Sequence, residues 1–412
     1  MMHEHESTIS RRRLLGTAAG AGAAGLVAGA AGGVAGHALA SGDAPAPLTS
    51  LGAASVPFHG ARQAGITTAL QSHAHLVAFD LVAGARRKEA AALMRRWSAA
   101  AEAMTQGGAP DGDDLVAADA GPSSLTVTFG FGASFFDRTG LKSRRPDALA
   151  PLPSFSADAL DADRSDGDLF VQIGADDALV AFHALRTLQR AADGTARVRW
   201  QMNGFNRAPG ATARPMSMRN LMGQVDGTNN PKPSDADFEE RVFVPAGGDP
   251  EWMAGGSYAV VRRIRMLLDA WDNLSGEQQD RVIGRRKSDG APLSGGTETT
   301  PVDLGKQNPD GSLAVPGDAH VRVAAPSENG GAAMLRRSFS YHDGFDADGV
   351  PDAGLLFVAW QADPRRGFVP VQRKLDRGDG LSRFLRHETS ALFAVPGGAK
   401  RGEYVGQRLL ES

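Results

Sequence analysis

The order in which two hydrophobic periods follow one another leaves this chain few architectures. Apolar runs with strand character occupy residues 75–82, 125–131, 169–173 and 196–202. Between them, residues 87–104 bring Leu93, Trp97, Ala100 and Met104 onto one helical face, and residues 176–192 do the same with Leu179, Phe182, Leu185 and Leu188. The order β-α-β-β-α-β then recurs. It comprises a strand at 258–266, a helical region within 267–283, strands at 334–341 and 355–361, helical turns between 368 and 387, and a last strand at 392–395. Two such units predict an α+β chain of two ferredoxin-like domains with antiparallel sheets, spanning residues 56–210 and 211–412.

With 412 residues, 42% of them hydrophobic and 22% charged, there is enough apolar material for a core in each domain. A formal net charge of −3 speaks against a nucleic-acid binder. The chain contains no cysteine. That removes disulfides, iron–sulfur clusters, covalent CxxCH haem attachment and thiolate ligation of a haem iron from consideration.

The first 40 residues have a different character. Ser10-Arg11-Arg12-Arg13-Leu14-Leu15 precedes an uncharged Gly/Ala run that ends at Ala38-Leu39-Ala40. This is the layout of a twin-arginine signal peptide with cleavage after Ala40, followed by a polar linker over residues 41–55. An uncleaved membrane anchor is the alternative that length allows, but Gly and Ala make a poor spanning helix. The expectation is export through the twin-arginine translocase to the periplasm or beyond, with no stable membrane insertion after cleavage.

One segment, Gly223-Gln224-Val225-Asp226-Gly227-Thr228-Asn229-Asn230-Pro231, sets a single carboxylate between two glycines. Gly223 and Gly227 permit positive φ or close backbone approach, and Asn-Asn-Pro enforces a turn, so Asp226 is expected on a rigid loop. Taken alone, the segment reads equally as an Asx-turn in which Asp226 caps its own backbone. Downstream lie His320, in Asp318-Ala319-His320-Val321-Arg322, and the pair Arg336-Arg337. His320 falls within a long irregular stretch, residues 288–333, of a kind that is functional or disordered when it interrupts a compact domain. Val321 and Val323 alternating with Arg322 predict a short extended piece around it. Adjacent strand residues face opposite ways, so only one of Arg336 and Arg337 can look into a pocket. The bland alternative is that both are solvated strand charges.

An acid, an imidazole and a guanidinium in this order resemble the dye-decolourising peroxidases, haem b enzymes marked by a GxxDG loop, a proximal histidine and a distal arginine. The likeness extends through Phe58-His59-Gly60-Ala61-Arg62-Gln63-Ala64-Gly65-Ile66, Arg285-Arg286-Lys287-Ser288-Asp289-Gly290-Ala291-Pro292-Leu293, Gly354-Leu355-Leu356-Phe357-Val358-Ala359-Trp360-Gln361 and Ala391-Leu392-Phe393-Ala394-Val395-Pro396-Gly397. It implies one haem b per chain, held mainly by the second domain, with His320 as iron ligand, Asp226 as distal acid/base and Arg336 as the charge-stabilising arginine. Gly227, Thr228, Asn229, Ala325, Pro326, Ser327, Arg336 and Phe357 are the implied cofactor contacts. Hydrogen peroxide and aromatic or dye-like reductants are the implied partners.

Two departures stand out. The family usually reaches a His/Asn-Pro-Arg run after the proximal histidine, whereas this chain has Ala325-Pro326-Ser327, so an arginine that often meets a haem propionate is missing. Arg62 stands where a histidine is common. The run Arg262-Arg263-Ile264-Arg265 is expected on a strand surface or facing the propionates.

The chemistry explains the set. Heterolysis of a peroxide O–O bond moves a proton from the inner to the outer oxygen and leaves negative charge on the departing hydroxyl; Asp226 suits the first task and Arg336 the second. A carboxylate on the other nitrogen of His320 would make it a stronger donor to iron, and the sequence does not single one out. Reductants too large for a buried pocket are expected to deliver electrons at the surface through aromatics such as Trp252, Trp360, Tyr258 or Tyr341, although core packing is the preferred reading of each. Two other classes stay open: an exported haem-binding protein for iron release or uptake from haem, and a ferredoxin-like binding module without cofactor.

Overall fold

Runs of β-branched and aromatic residues set the strands, and the first unit comprises β1 (His73–Leu81), helix α1 (Arg87–Thr105), β2 (Thr126–Gly132), β3 (Leu169–Ala175), helix α2 (Ala178–Ala191) and β4 (Ala196–Phe205). A small hairpin, β5 (Met218–Arg219) and β6 (Val225–Asp226), leads into the second unit. That unit contains β7 (Ser257–Met266), α3 (Leu268–Asp272), α4 (Gly276–Ile283), α5 (His320–Val323), β8 (Leu335–Arg336), β9 (Phe339–Phe345), β10 (Pro351–Gln361), α6 (Phe368–Gly378), β11 (Leu385–His387) and β12 (Ala391–Val395). The computed structural model describes residues 52–209 and 217–411. The expected leader, its cleavage site and most of the linker lie outside the described residues.

Strand order is β2-β3-β1-β4 in the first unit and β9-β10-β7-β12 in the second. Each is the ferredoxin-like order 4-1-3-2 within its own unit, and the pairings are antiparallel. The two sheets also meet each other. β12 pairs with β2 at Phe393–Gly132 and Ala394–Phe131, and β9 pairs with β4 at Ser340–Phe205, so the strands close into a ring.

Ring closure explains why β2 and β3 are buried along their whole length. One face of the strands looks inward, where Leu76, Phe170, Trp200, Val261, Leu356 and Phe393 form a shared core. Phe170 of one unit stacks on Phe393 of the other with ring centroids 4.6 Å apart. The opposite face of the first sheet packs Val77, Phe79, Phe129 and Val171 with Leu93 and Trp97 of α1 and Val180 and Leu188 of α2. The Trp97 indole N–H donates to Leu188 O at 2.8 Å, tying the two helices together.

Three local expectations are corrected. On α2, Leu179 and Phe182 are 57% and 48% exposed, and the buried stripe is Val180, Ala181, His183, Ala184, Leu185 and Leu188. Asp177 caps the helix by accepting the N–H groups of Leu179 and Val180, and His183 turns inward to Asp113 at 3.0 Å, so alanines rather than Phe182 meet the sheet. The strand expected over 334–341 is two strands separated at Arg337 and Ser338, where the Arg337 side chain reaches away to Thr68 O and Ala69 O at 3.2 and 3.1 Å and to Gln71. The arginines of β7 are not a solvated surface. Arg262 is buried between Phe155 and Phe368 and paired with Asp158, while Arg263 is buried over the Tyr341 ring and paired with Asp343, Asp352 and Glu388. The bland alternative for Arg336 and Arg337 also falls away, since Arg337 is buried and Arg336 is ion-paired.

Candidate active site

Asp226 stands on a strand, not in an Asx-turn. In the β5–β6 hairpin it lies opposite Met218, and Arg219 lies opposite Val225. Gly223 takes φ +77° to close the hairpin, and the Asn220 carboxamide oxygen accepts the N–H groups of Met222 and Gln224 at 3.0 and 3.3 Å. From outside, Arg219 Nη1 donates to Gly223 O at 2.7 Å and Lys287 O at 2.6 Å, and its Nη2 donates to Ser288 O at 2.9 Å. Thr228 Oγ1 donates to Glu298 Oε1 at 3.0 Å. The Arg285–Leu293 block is thus a buttress for the loop that carries Asp226.

Arg336 reaches Asp226 from β8, with Nη1 2.8 Å from Asp226 Oδ1. Its neighbour Arg337 goes to the opposite side of the strand, as alternation requires.

His320 begins a single helical turn, α5, where an extended piece was expected. Ala319 O receives the N–H groups of Arg322 and Val323 at 2.9 and 3.0 Å, and the Arg322 side chain folds back onto Leu304 O, Val315 O and Pro316 O at 2.6 to 3.2 Å. Those bonds, more than the apolar alternation, decide the local conformation. Gly284 ends α4 at φ +90°, and a Cβ there would lie 2.5 Å from Val321 Cγ2, so only glycine lets α4 back onto α5 so closely.

The carboxylate partner of His320 is Asp379, just after α6, with Oδ2 2.9 Å from His320 Nδ1. Its side chain is 1% exposed, and its Oδ1 accepts the Leu381 N–H at 3.0 Å. An Nδ1–H donated to Asp379 leaves His320 Nε2 without a protein partner among the described residues.

Asp226, Arg336 and His320, from three separate segments, are 31%, 30% and 28% exposed at the side chain. They also feel one another's charge. Burial pushes the Asp226 carboxyl up, but the charges of Arg336 and His320 and hydrogen bonds from Arg336 and Asn220 outweigh it and hold the group below the usual carboxylate range. For His320 burial acts downward, and the Asp379 charge and hydrogen bond raise it overall.

The other implied contacts are spread more widely. Gly227 turns the chain at φ +98° directly after Asp226, and Asn229 is exposed. Ala325 precedes a 3-10 turn, Pro326–Glu328, in which Ser327 is exposed; Asn329 ties it back to Val323 O and Ala325 O at 2.8 Å. Phe357 lies on β10 opposite Arg262, with its ring 5.9 Å from that of Phe368. Trp252, Tyr258, Tyr341 and Trp360 are all at most 4% exposed, which is core packing. His387 is buried in β11.

The antiparallel ferredoxin-like sheets thus carry a carboxylate–arginine pair and a carboxylate-backed histidine. The chain belongs to the Dyp-type peroxidase family, whose N-terminal domain matches residues 63–206 and whose C-terminal domain matches residues 217–400. It is 70% identical to a DyP-type peroxidase of known structure from Streptomyces coelicolor, with a TM-score of 0.87 covering 89% of this chain and 100% of that one. It is 45% identical over 362 residues to a dye-decolorizing peroxidase from Thermobifida fusca (strain YX), 85% of this chain and 84% of the relative. It is 36% identical over 375 residues to a deferrochelatase from Yersinia pestis bv. Antiqua (strain Nepal516), 86% of this chain and 85% of that protein. Family members bind haem, and the donor set fits it: a histidine with one nitrogen on a buried carboxylate and the other free is the arrangement that orients a metal ligand. Among the described residues, no helix is long and apolar enough to cross a membrane.

Proposed function

We propose that this peroxidase uses hydrogen peroxide to oxidise dye-like or phenolic electron donors, with Asp226, Arg336 and His320 as its working groups. The observation that carries the reading is the 2.8 Å Arg336–Asp226 pair within electrostatic reach of a histidine whose Nδ1 is 2.9 Å from Asp379. His320 would hold haem b, which would supply a site for peroxide and store the oxidising equivalents. Asp226, kept ionised by Arg336, takes the proton from the inner peroxide oxygen and returns it to the outer one. Arg336 stabilises the negative charge that builds on the departing oxygen. Asp379 holds the proton on His320 Nδ1, which fixes the tautomer and raises the basicity of Nε2. Gly227, Thr228, Asn229, Ala325, Pro326, Ser327 and Phe357 border the cofactor in this reading.

Three variants test it. His320→Ala is expected to lose most bound haem, read from the Soret band. Asp226→Asn and Arg336→Leu are expected to keep haem and slow the reaction with peroxide by about 10²–10⁴-fold in stopped-flow mixing. Unchanged rates in both would overturn the distal assignment. A second reading, release of iron from haem, is favoured by the 36% identity to a deferrochelatase. Chelatable iron appearing from haem-loaded protein without peroxide, alongside negligible peroxide turnover, would select it.

The same proposal places the working protein outside the cytoplasm, because residues 1–40 have the layout of a twin-arginine leader. Replacing Arg11 and Arg12 by Lys is expected to retain folded protein inside the cell, and normal secretion of that variant would refute the route.

A further inference from the structure

The distal arginine stands on the last strand at one end of the ring, β8, which pairs with β10. Arg337 N–H donates to Val358 O of β10 at 2.8 Å. In an antiparallel ladder the next residue along turns its backbone groups the other way, so the N–H and C=O of Arg336 point off the sheet. No strand meets them there among the described residues. Unpaired backbone groups of this kind need partners. The carboxamide of Asn230 supplies both: Nδ2 donates to Arg336 O at 2.7 Å, and Oδ1 accepts Arg336 N–H at 3.3 Å. The backbone N–H of the same residue donates to Gly227 O at 3.0 Å, closing the turn that directly follows Asp226. One side chain therefore joins the backbone of the arginine to the loop of the acid, across 106 positions of sequence.

We propose that Asn230 is a positioning residue of the peroxide reaction: it acts through Arg336, fixing where that guanidinium stands relative to Asp226, and does not itself touch peroxide. The inference rests on the reading of Asp226 and Arg336 given above. Water could satisfy two exposed backbone groups, but it could not link strand to loop. The sense of the linkage also matters, because an amide offers one donor and one acceptor side by side, as a neighbouring strand would. An aspartate keeps the acceptor for Arg336 N–H and sets a second oxygen against Arg336 O.

The test uses the haem-loaded full chain and three measurements on Asn230→Ala and Asn230→Asp. The Soret band is expected to be unchanged in both. Hydrogen exchange at the Arg336 amide, followed by mass spectrometry on peptides covering residues 335–337, is expected to accelerate in Asn230→Ala and less so in Asn230→Asp. The reaction with peroxide is expected to slow about ten- to a hundredfold in Asn230→Ala, the scale of a modest misplacement of a reacting group. In an Arg336→Leu background the same substitution is expected to change the rate no further, since its only route of action is gone. An equal slowing in both backgrounds, unchanged exchange at Arg336, or faster exchange with a wild-type rate would each overturn the proposal. A wild-type rate in Arg336→Leu alone would instead sink the peroxide assignment, with exchange at Arg336 still deciding whether Asn230 holds the strand.

Discussion

Asp226 shows how one neighbour decides the working state of an acid. Its carboxyl is pushed up by burial and held down on balance, with the Arg336 guanidinium as the largest downward influence. The peroxide reaction should therefore keep its rate until the pH falls below the usual carboxylate range of about 4. Arg336→Leu removes the largest downward influence and leaves burial in place, so the acid limb of its pH–rate profile should move to higher pH. An acid limb at the same pH in wild type and variant would show that Asp226 is not the group that titrates. Behind His320, Asp379→Asn keeps an acceptor for His320 Nδ1 but removes the charge. Haem affinity is expected to fall about 10–100-fold, read by titrating haem into the apoprotein.

At the scale of elements, burial and charge meet on β11. His387 is almost fully buried, and burial together with the nearby Arg262 charge pulls its pKa down to about 3. In the unfolded chain the imidazole returns to 6.5. Below that pH the unfolded state binds the proton first, so stability should fall as pH drops from 6.5 towards about 3. The loss is on the order of a few kcal/mol, and denaturant midpoints measured across that range should slope less in His387→Gln. The element order was readable from periodicity, because strands and helices here bury whole faces and apolar spacing reports burial. The same logic failed on α2, where 3.6-residue spacing allows two stripes and the Asp177 cap and His183–Asp113 bond chose the one with alanines. It failed again at His320, where side-chain bonds from Arg322 wind a segment that spacing alone reads as extended. Asp226, His320 and Arg336 were singled out by resemblance to a family pattern, and the fold brings Asp226 and Arg336 within 2.8 Å. Asp379 was not, since it lies 59 positions from the histidine it supports and only the packing of α5 against α6 brings them together.

At the scale of the molecule, the two units share their cores instead of owning one each. Trp200 and Phe170 of the first unit pack with Trp360 and Phe393 of the second inside the ring, and the outer core likewise mixes residues of both. Unfolding of the described region should be a single cooperative event, with calorimetric and van't Hoff enthalpies in agreement for haem-free protein. Two resolved transitions, one for each unit, would contradict the shared core.

The closed ring also bears on how copies of this chain can meet. A sheet becomes a template for other chains where a strand edge is left unpaired. Of the two ends of the strand order here, β8 is covered by the Asn230 carboxamide and β11 exchanges backbone hydrogen bonds with residues 157–159. Among the described residues, strand-to-strand addition, the usual first step of β-aggregation, finds no ready edge at either end of the strand order, and the fold itself supplies this protection.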